Sequence, residues 1–326
     1  MKRLRLIKYM DTIKYAFLNA VTGEHKYPLY ASFKVTSLCK SQCPYCDMWR
    51  MKADRDLETH EILTVVDNLA ASSILVLSIE GGEPFLREDI GDILQYIRHM
   101  PFYTELTTSA MGIDWDKVKD CAKLLDFLHI SIDEAHNNLY LLDNLAEFKR
   151  WIRDLGVQIV VSKNDLPALE DKVRKIHRAG AKAVIIPATC LDGIPNAYPD
   201  PRKFSQEIMR LIKSFPATIV TAKGYLDAIN KDHGCDTASI IIGSDASLYY
   251  PCRTLKTRAT NLLYENLMDF VSTPNAASLR NMGRQCRRRC GWYQYFAVSS
   301  YYRPRTLMYS MRPYFNDILS TVSDGK

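Results

Sequence analysis

The sequence predicts an α/β protein in which six parallel strands alternate with helices and curl into a partial barrel, and three observations lead there. Apolar or alternating runs of strand length recur at residues 30–36, 74–79, 103–108, 127–132, 157–162 and 183–187. Segments with apolar residues at helical spacing lie between them, such as Ile62, Val65, Val66 and Leu69, then Ile90, Ile93, Leu94 and Ile97, then Leu145, Phe148 and Ile152. Strands that alternate with helices pair in parallel through right-handed crossovers, so six such units close toward a (β/α)6 barrel of TIM-like form. The functional groups of such a barrel belong at the C-terminal ends of its strands.

Residues 1–29 precede the barrel. Ile7, Met10, Ile13 and Phe17 fall near helical spacing among Lys2, Arg3, Arg5, Lys8 and Lys14. A basic amphipathic helix of this kind packs against a barrel or lies on an anionic membrane surface. Residues 30–231 hold the barrel. A seventh strand is predicted at 217–221, after which the regular alternation stops. Residues 232–326 form a small cysteine-rich module and an Arg/Tyr-rich tail.

The 326 residues are 47% apolar and 25% charged, the balance of an ordinary globular protein without low-complexity tracts. No run is long enough to span a bilayer and no secretion signal is visible, so the expected location is the cytoplasm, with peripheral membrane contact as an option. Nine cysteines in a reducing compartment point to metal ligation rather than disulfides. Eight arginines and no acid fall between Phe270 and Asn316. With Trp292, Tyr293, Tyr295, Phe296, Tyr301, Tyr302, Tyr309 and Tyr314 they suit either an anionic partner or docking on the barrel, and nucleic acid is the less expected partner.

Cys39, Cys43 and Cys46 directly follow the first strand, which places three thiols at the catalytic face. Thiolates suit iron-sulfur clusters or zinc. Three of them leave one iron of a four-iron cubane open to a small molecule, whereas a zinc ion would take its fourth ligand from elsewhere.

This C-x3-C-x2-C spacing, with aromatic Tyr45 before the last cysteine, resembles the radical S-adenosylmethionine (SAM) superfamily. Further places match in order. Gly81, Gly82, Glu83 and Pro84 follow the second strand, as does the family's GGEP motif, where glycines allow close backbone approach and a carboxylate pairs with an ammonium. Thr107, Thr108 and Ser109 end the third strand, Ser131 and Asp133 end the fourth, and Asn164 follows the fifth. The resemblance implies that Cys39, Cys43 and Cys46 hold a [4Fe-4S] cluster, and that Tyr45, Gly81, Gly82, Glu83, Pro84, Thr108, Ser109, Ser131, Asp133 and Asn164 contact SAM. The chain departs from the family where many relatives carry an asparagine and a glycine after the third strand. It reads Ser109, Ala110, Met111, Gly112 there.

Cys235, Cys252, Cys286 and Cys290 provide four thiolates, a full set for a second [4Fe-4S] cluster or a zinc ion. Cys235 and Cys252 are expected on a small hairpin. This is similar to the twitch form of the SPASM module, as in the dehydrogenase that oxidises 2-deoxy-scyllo-inosamine. Cys121 reads as a core residue inside an amphipathic helix, and Cys190 as a bystander after the sixth strand.

The resemblance implies reductive cleavage of SAM to a 5'-deoxyadenosyl radical that takes hydrogen from substrate. The expected substrate is a polyol, a sugar-like molecule or a lipid head group, with a ferredoxin or flavodoxin as reductant. A peptide-modifying enzyme, an RNA-modifying enzyme and a non-catalytic electron carrier are the alternatives. No catalytic acid or base is legible.

Overall fold

The computed structural model describes residues 2–50, 55–189, 197–230, 234–288 and 290–300. The expectations for Cys190, Arg289, the boundary at Lys231 and the tail 301–326 lie outside them. Helix α1 (Lys2–Thr22) leads into six βα units: β1 (Tyr30–Lys34), α2 (Thr59–Ala70), β2 (Val76–Glu80), α3 (Ile90–Ile97), β3 (Tyr103–Thr108), α4 (Trp115–Ala122), β4 (Phe127–Ser131), α5 (Leu145–Trp151), β5 (Leu155–Val161), α6 (Leu169–Arg178), β6 (Lys182–Pro187) and α7 (Pro201–Ser214). Short α8 (Lys223–Ala228) then connects to β7 (Ser239–Ile242), β8 (Ser247–Tyr249), β9 (Arg258–Asn261), α9 (Leu267–Val271), α10 (Pro274–Gln285) and α11 (Tyr293–Ser300).

All six predicted strands are present and parallel, in the order β6-β5-β4-β3-β2-β1. The period of two explains why. In β1 and β2 the odd-numbered Ala31, Phe33, Leu77 and Ile79 are fully buried in the main apolar core beside Ile62, Val65, Val66 and Leu69 of α2. The alternate positions are polar and pair across strands: Lys34 stands opposite Glu80 in the β1–β2 register and is ion-paired to it, and the Tyr30 hydroxyl donates to Glu105 of β3 at 2.5 Å. Cys121 is buried in this core as expected.

The predicted seventh strand is reduced to one bridge between Ile219 and Ala183. Thr221 explains the shortfall. Its hydroxyl takes the Ile185 N–H at 2.7 Å and donates to the Ile185 carbonyl at 3.0 Å, replacing ladder bonds with side-chain ones. The expected hairpin is β7–β8, antiparallel, with Cys235 before its first strand and Cys252 after its second. Strand β7 also pairs in parallel with β1, Tyr30 opposite Ser239, so β7, β8 and β9 extend the same sheet to nine strands.

Helix α1 crosses the N-terminal ends of β1 to β3. Lys8 donates from a buried position to the carbonyls of Ala70 and Ser72, and Asn19 exchanges two bonds with the Tyr27 backbone. Burial lowers the Lys8 ammonium to about 8. The unfolded lysine titrates near 10.4, so between these values the undocked chain binds more protons, and docking strengthens as pH rises through that window. Proteolysis at the turn after α1 should therefore slow from pH 8 to pH 10, and Lys8→Met should remove the dependence.

Candidate radical SAM site

The strand ends β1 to β6 surround a cavity of about 190 Å³. Its wall includes Cys39, Cys43 and Cys46, Tyr45, Gly81 and Gly82, Thr107, Thr108 and Ser109, and Ser131. Most of the side chains named from sequence thus meet at one place. Glu83, Pro84, Asp133 and Asn164 do not line it.

Local bonds shape the cysteine loop. The Cys46 N–H donates to the Cys43 carbonyl at 3.1 Å, and the Trp49 indole N–H donates to the same oxygen at 3.1 Å. Asp56 accepts from the Ser37 N–H and the Thr36 hydroxyl, fixing the exit from β1. The glycines explain how the loop lies so near β2. A Cβ on Gly82 would stand 2.0 Å from the Leu38 carbonyl oxygen and 2.9 Å from the Cys39 Cβ, and one on Gly81 would stand 2.5 Å from the Thr36 oxygen. Only glycine fits against the cysteine loop here.

Glu83 is fully buried and accepts from the Thr108 hydroxyl (2.8 Å), the Ser109 N–H (2.8 Å), the Ser109 hydroxyl (2.7 Å) and the Phe85 N–H (3.2 Å). Burial raises its carboxyl above the ordinary range, against the pull of those donors. Glu83 therefore ties the ends of β2 and β3 together behind the cavity wall. Where the sequence departs from its relatives, Ala110 adopts a left-handed φ of 58°, a conformation glycine takes without penalty.

Asp133 is also fully buried. It accepts from the Tyr45 hydroxyl at 3.1 Å and from the Val160 N–H at 3.2 Å, and its Oδ1 lies 2.8 Å from His136 Nδ1. It organises Tyr45 and His136, which reach the cavity in its place. Asn138, also fully buried, donates to the carbonyls of Ser109 and Ser131 and joins the ends of β3 and β4. Asn164 is exposed in the turn after β5, away from the wall.

Sequence reasoning missed Lys34, Glu80, His136, Gln158, Arg253, Trp292, Tyr293 and Gln294 on the wall. The polar alternation of β1 and β2 could have disclosed Lys34 and Glu80. The others depend on contacts between distant segments. Trp292 and Tyr293 arrive because α11 packs on α8: the Tyr225 hydroxyl donates to the Gly291 carbonyl at 2.9 Å, and the Tyr225 and Tyr293 rings meet edge to face at 4.8 Å.

Arg253 and Trp292 line this cavity and bring the segments of Cys252 and Cys290 toward it. Cys252 and Cys290 are buried, and the charges of Cys252, Cys290 and Cys286 all act on Cys235. The Cys235 N–H donates to the Gly283 carbonyl at the end of α10. Burial raises the thiols of Cys39, Cys43 and Cys46 and those of Cys235, Cys252 and Cys290, the last to about 11, so metal binding to any of them releases a proton. Thiols are the donor type that iron-sulfur clusters take, and among the described residues no group of three or more Cys, His, Asp or Glu side chains is already closed to metal-binding distance. The two groups are physically linked: Arg253, next to Cys252, is ion-paired at 2.8 Å with Asp47, next to Cys46, and the pair is largely buried. Of the tail arginines, Arg280 and Arg284 are spent structurally, on Glu24, Asp236 and the Val271 carbonyl.

Comparison with known proteins agrees with this geometry. The Radical SAM superfamily model matches residues 33–197, half of the chain. Among solved structures, Streptococcus suis SuiB bound to S-adenosylmethionine is similar with a TM-score of 0.63 at 14% identity, over 78% of this chain and 68% of that one. SuiB bound to the precursor peptide SuiA gives 0.65 at 15% identity, over 82% and 70%. Native anSMEcpe with bound AdoMet gives 0.63 at 17% identity, over 92% of this chain and 100% of that one. Family match, barrel topology and the meeting of Cys39, Cys43 and Cys46 with the Gly81–Gly82 cradle lead to one conclusion: the chain belongs to the radical SAM superfamily, enzymes that use S-adenosylmethionine with a [4Fe-4S] cluster.

Proposed function

We propose that this enzyme oxidises a small hydroxyl-rich molecule, a polyol or sugar-like compound that is free or carried as a lipid head group, in the cytoplasm with a ferredoxin or flavodoxin as reductant. The observation that supports this reading is the largely buried ion pair between Arg253 and Asp47, which ties the segment of Cys252, one of four later thiols, to the first cysteine loop. When bound, the first cluster and S-adenosylmethionine supply a 5'-deoxyadenosyl radical that removes a hydrogen atom. Oxidation of a carbinol to a carbonyl then requires the loss of one more electron and one proton. A cluster held by Cys235, Cys252, Cys286 and Cys290 would supply a one-electron acceptor.

The chain's own residues account for the rest. Cys39, Cys43 and Cys46 hold the first cluster, with Tyr45, Gly81, Gly82, Thr108, Ser109 and Ser131 around S-adenosylmethionine. Glu83, Pro84 and Asp133 support that shell from behind. Lys34, Glu80, Thr107 and Gln158 give the wall donors and acceptors suited to hydroxyls. His136, its Nδ1 held by Asp133, is the imidazole placed to take the substrate proton. Trp292 and Tyr293 exclude water beside the reacting centre.

A peptide substrate is the second reading, favoured by the similarity to SuiB with its precursor peptide and to anSMEcpe with a bound peptide. The test is anaerobic reconstitution followed by reductant and S-adenosylmethionine, with polyols and peptides supplied separately. Two four-iron clusters predict about eight irons per chain. Replacing Cys39 should remove about four of them and all 5'-deoxyadenosine, while replacing Cys252 should remove about four and spare uncoupled cleavage. Faster 5'-deoxyadenosine formation with peptides alone would sink the polyol reading.

A further inference from the structure

Helix α1 is amphipathic in the reverse sense. Among its described side chains those buried against the barrel are Lys8, Thr12 and Asn19, all polar, with Tyr15, Ala16 and Leu18 half-buried. Its outward stripe carries Ile7, Met10, Ile13, Phe17 and Val21, each between 52% and 67% exposed. Of the eleven large apolar side chains exposed among the described residues, six lie on this helix. A soluble surface helix has the opposite arrangement, because apolar area left in water gains nothing from folding. Such a contiguous patch marks a surface that is covered in use.

Charge selects what covers it. With Lys8 buried against the barrel, the sequence of α1 leaves Lys2, Arg3, Arg5 and Lys14 against a single acid, Asp11. Two copies pressed together along this stripe would oppose like charges. The basic segment after α11 shares the sign, since residues 301–316 contain Arg303, Arg305 and Arg312 and no acid. The last described turn of α11 lies beside the C-terminal end of α1: Ser299 donates to the Asp236 carbonyl, which His25 also contacts at 2.9 Å.

We propose that α1 is a membrane-docking element that lays Met10, Ile13, Phe17 and Val21 into the interface of an anionic bilayer. A helix of 21 residues is about 31 Å long, and its stripe lies along the side of the cylinder rather than around it, so the helix rests in the plane of the membrane. No helix among the described residues is long and apolar enough to cross a bilayer. The docked orientation follows from the fold. Helix α1 covers the N-terminal ends of β1 to β3, whereas the cavity is at the C-terminal ends, so docking holds the cavity on the side away from the lipid and favours the free form of the proposed substrate over a lipid-borne one.

The experiment is flotation of the full-length protein with vesicles of phosphatidylcholine alone and with added phosphatidylglycerol, at about 0.1 M salt and at higher salt. The expected result is binding to the anionic vesicles, weakened by salt and lowered at least about tenfold by Ile13→Asp with Phe17→Asp. Unchanged circular dichroism and melting certify the variant, and Val21→Asp with Met10→Asp repeats the test at independent positions. Absence of binding, or binding that both variants leave intact, overturns the proposal. A concentration-dependent dimer that the same substitutions abolish overturns it as well and assigns the stripe to a second copy.

Discussion

Gly82→Ala should destabilise the protein by about 3 kcal/mol and strip iron from the first site. The new methyl would stand 2.0 Å from the Leu38 carbonyl oxygen and 2.5 Å from its carbon, and both are backbone atoms that no rotamer change can move aside. Retreat is blocked on both flanks. The Gly82 N–H donates to the Thr36 carbonyl at 2.8 Å, and the Glu83 N–H donates to the Leu38 carbonyl at 2.7 Å. If the turn moves, those bonds break and Glu83 loses its place under Thr108 and Ser109. If Leu38 moves, Cys39 moves with it. Thermal melting and iron content measure the two consequences, with a fall in Tm of roughly 6 °C or more expected. Gly91→Ala is the control, because its Cβ would meet nothing within 4 Å in α3 and should stabilise by about 0.5–1 kcal/mol. Equal melting of the Gly82 variant and the parent would refute the close approach.

Arg253→Met should cost about 3 kcal/mol, since it leaves the Asp47 carboxylate without its 2.8 Å partner where only 20% of that side chain meets solvent. Adding Asp47→Asn should recover most of the loss, and the non-additivity measures the pair directly. The kinetic consequence is separable from the stability one. Asp47 and Arg253 follow a cysteine of each group, so the pair sets the spacing between the two loops. All seven thiols are untouched in the variant, and iron content should hold. The yield of oxidised product per 5'-deoxyadenosine should fall tenfold or more, because small misplacements of reacting groups are expensive. A variant with the parent's yield would show that the pair is structural only.

The barrel was legible because its lumen is polar. Lys34, Ser78, Glu80, Glu105 and Thr107 alternate with apolar residues that face the helices, which marks a strand whose two faces have different solvents. Cys39 to Cys46 and Gly81 to Glu83 were legible because each set is local and each needs special residues. The scaffolding behind them was not. Glu83 and Asp133 read from sequence as cofactor contacts, yet both are buried and fully engaged in joining strand ends, a role that depends on Thr108, Ser109, Tyr45 and His136 arriving from other loops. Asn138 carried no signal, since one asparagine in a turn resembles any other. The junction of β7 with β1 was equally hidden, because parallel pairing leaves no mark that links residue 30 to residue 239.

That junction has a consequence during synthesis. Strand β1 is interior in the finished sheet, held by β2 on one side and β7 on the other. The ribosome delivers β2 soon after β1, but β7 is about 200 residues further along, which at 5–20 residues per second is roughly 10–40 s. Throughout that interval β1 is an open strand edge of the nascent sheet, free to pair with another chain until the C-terminal strands close it.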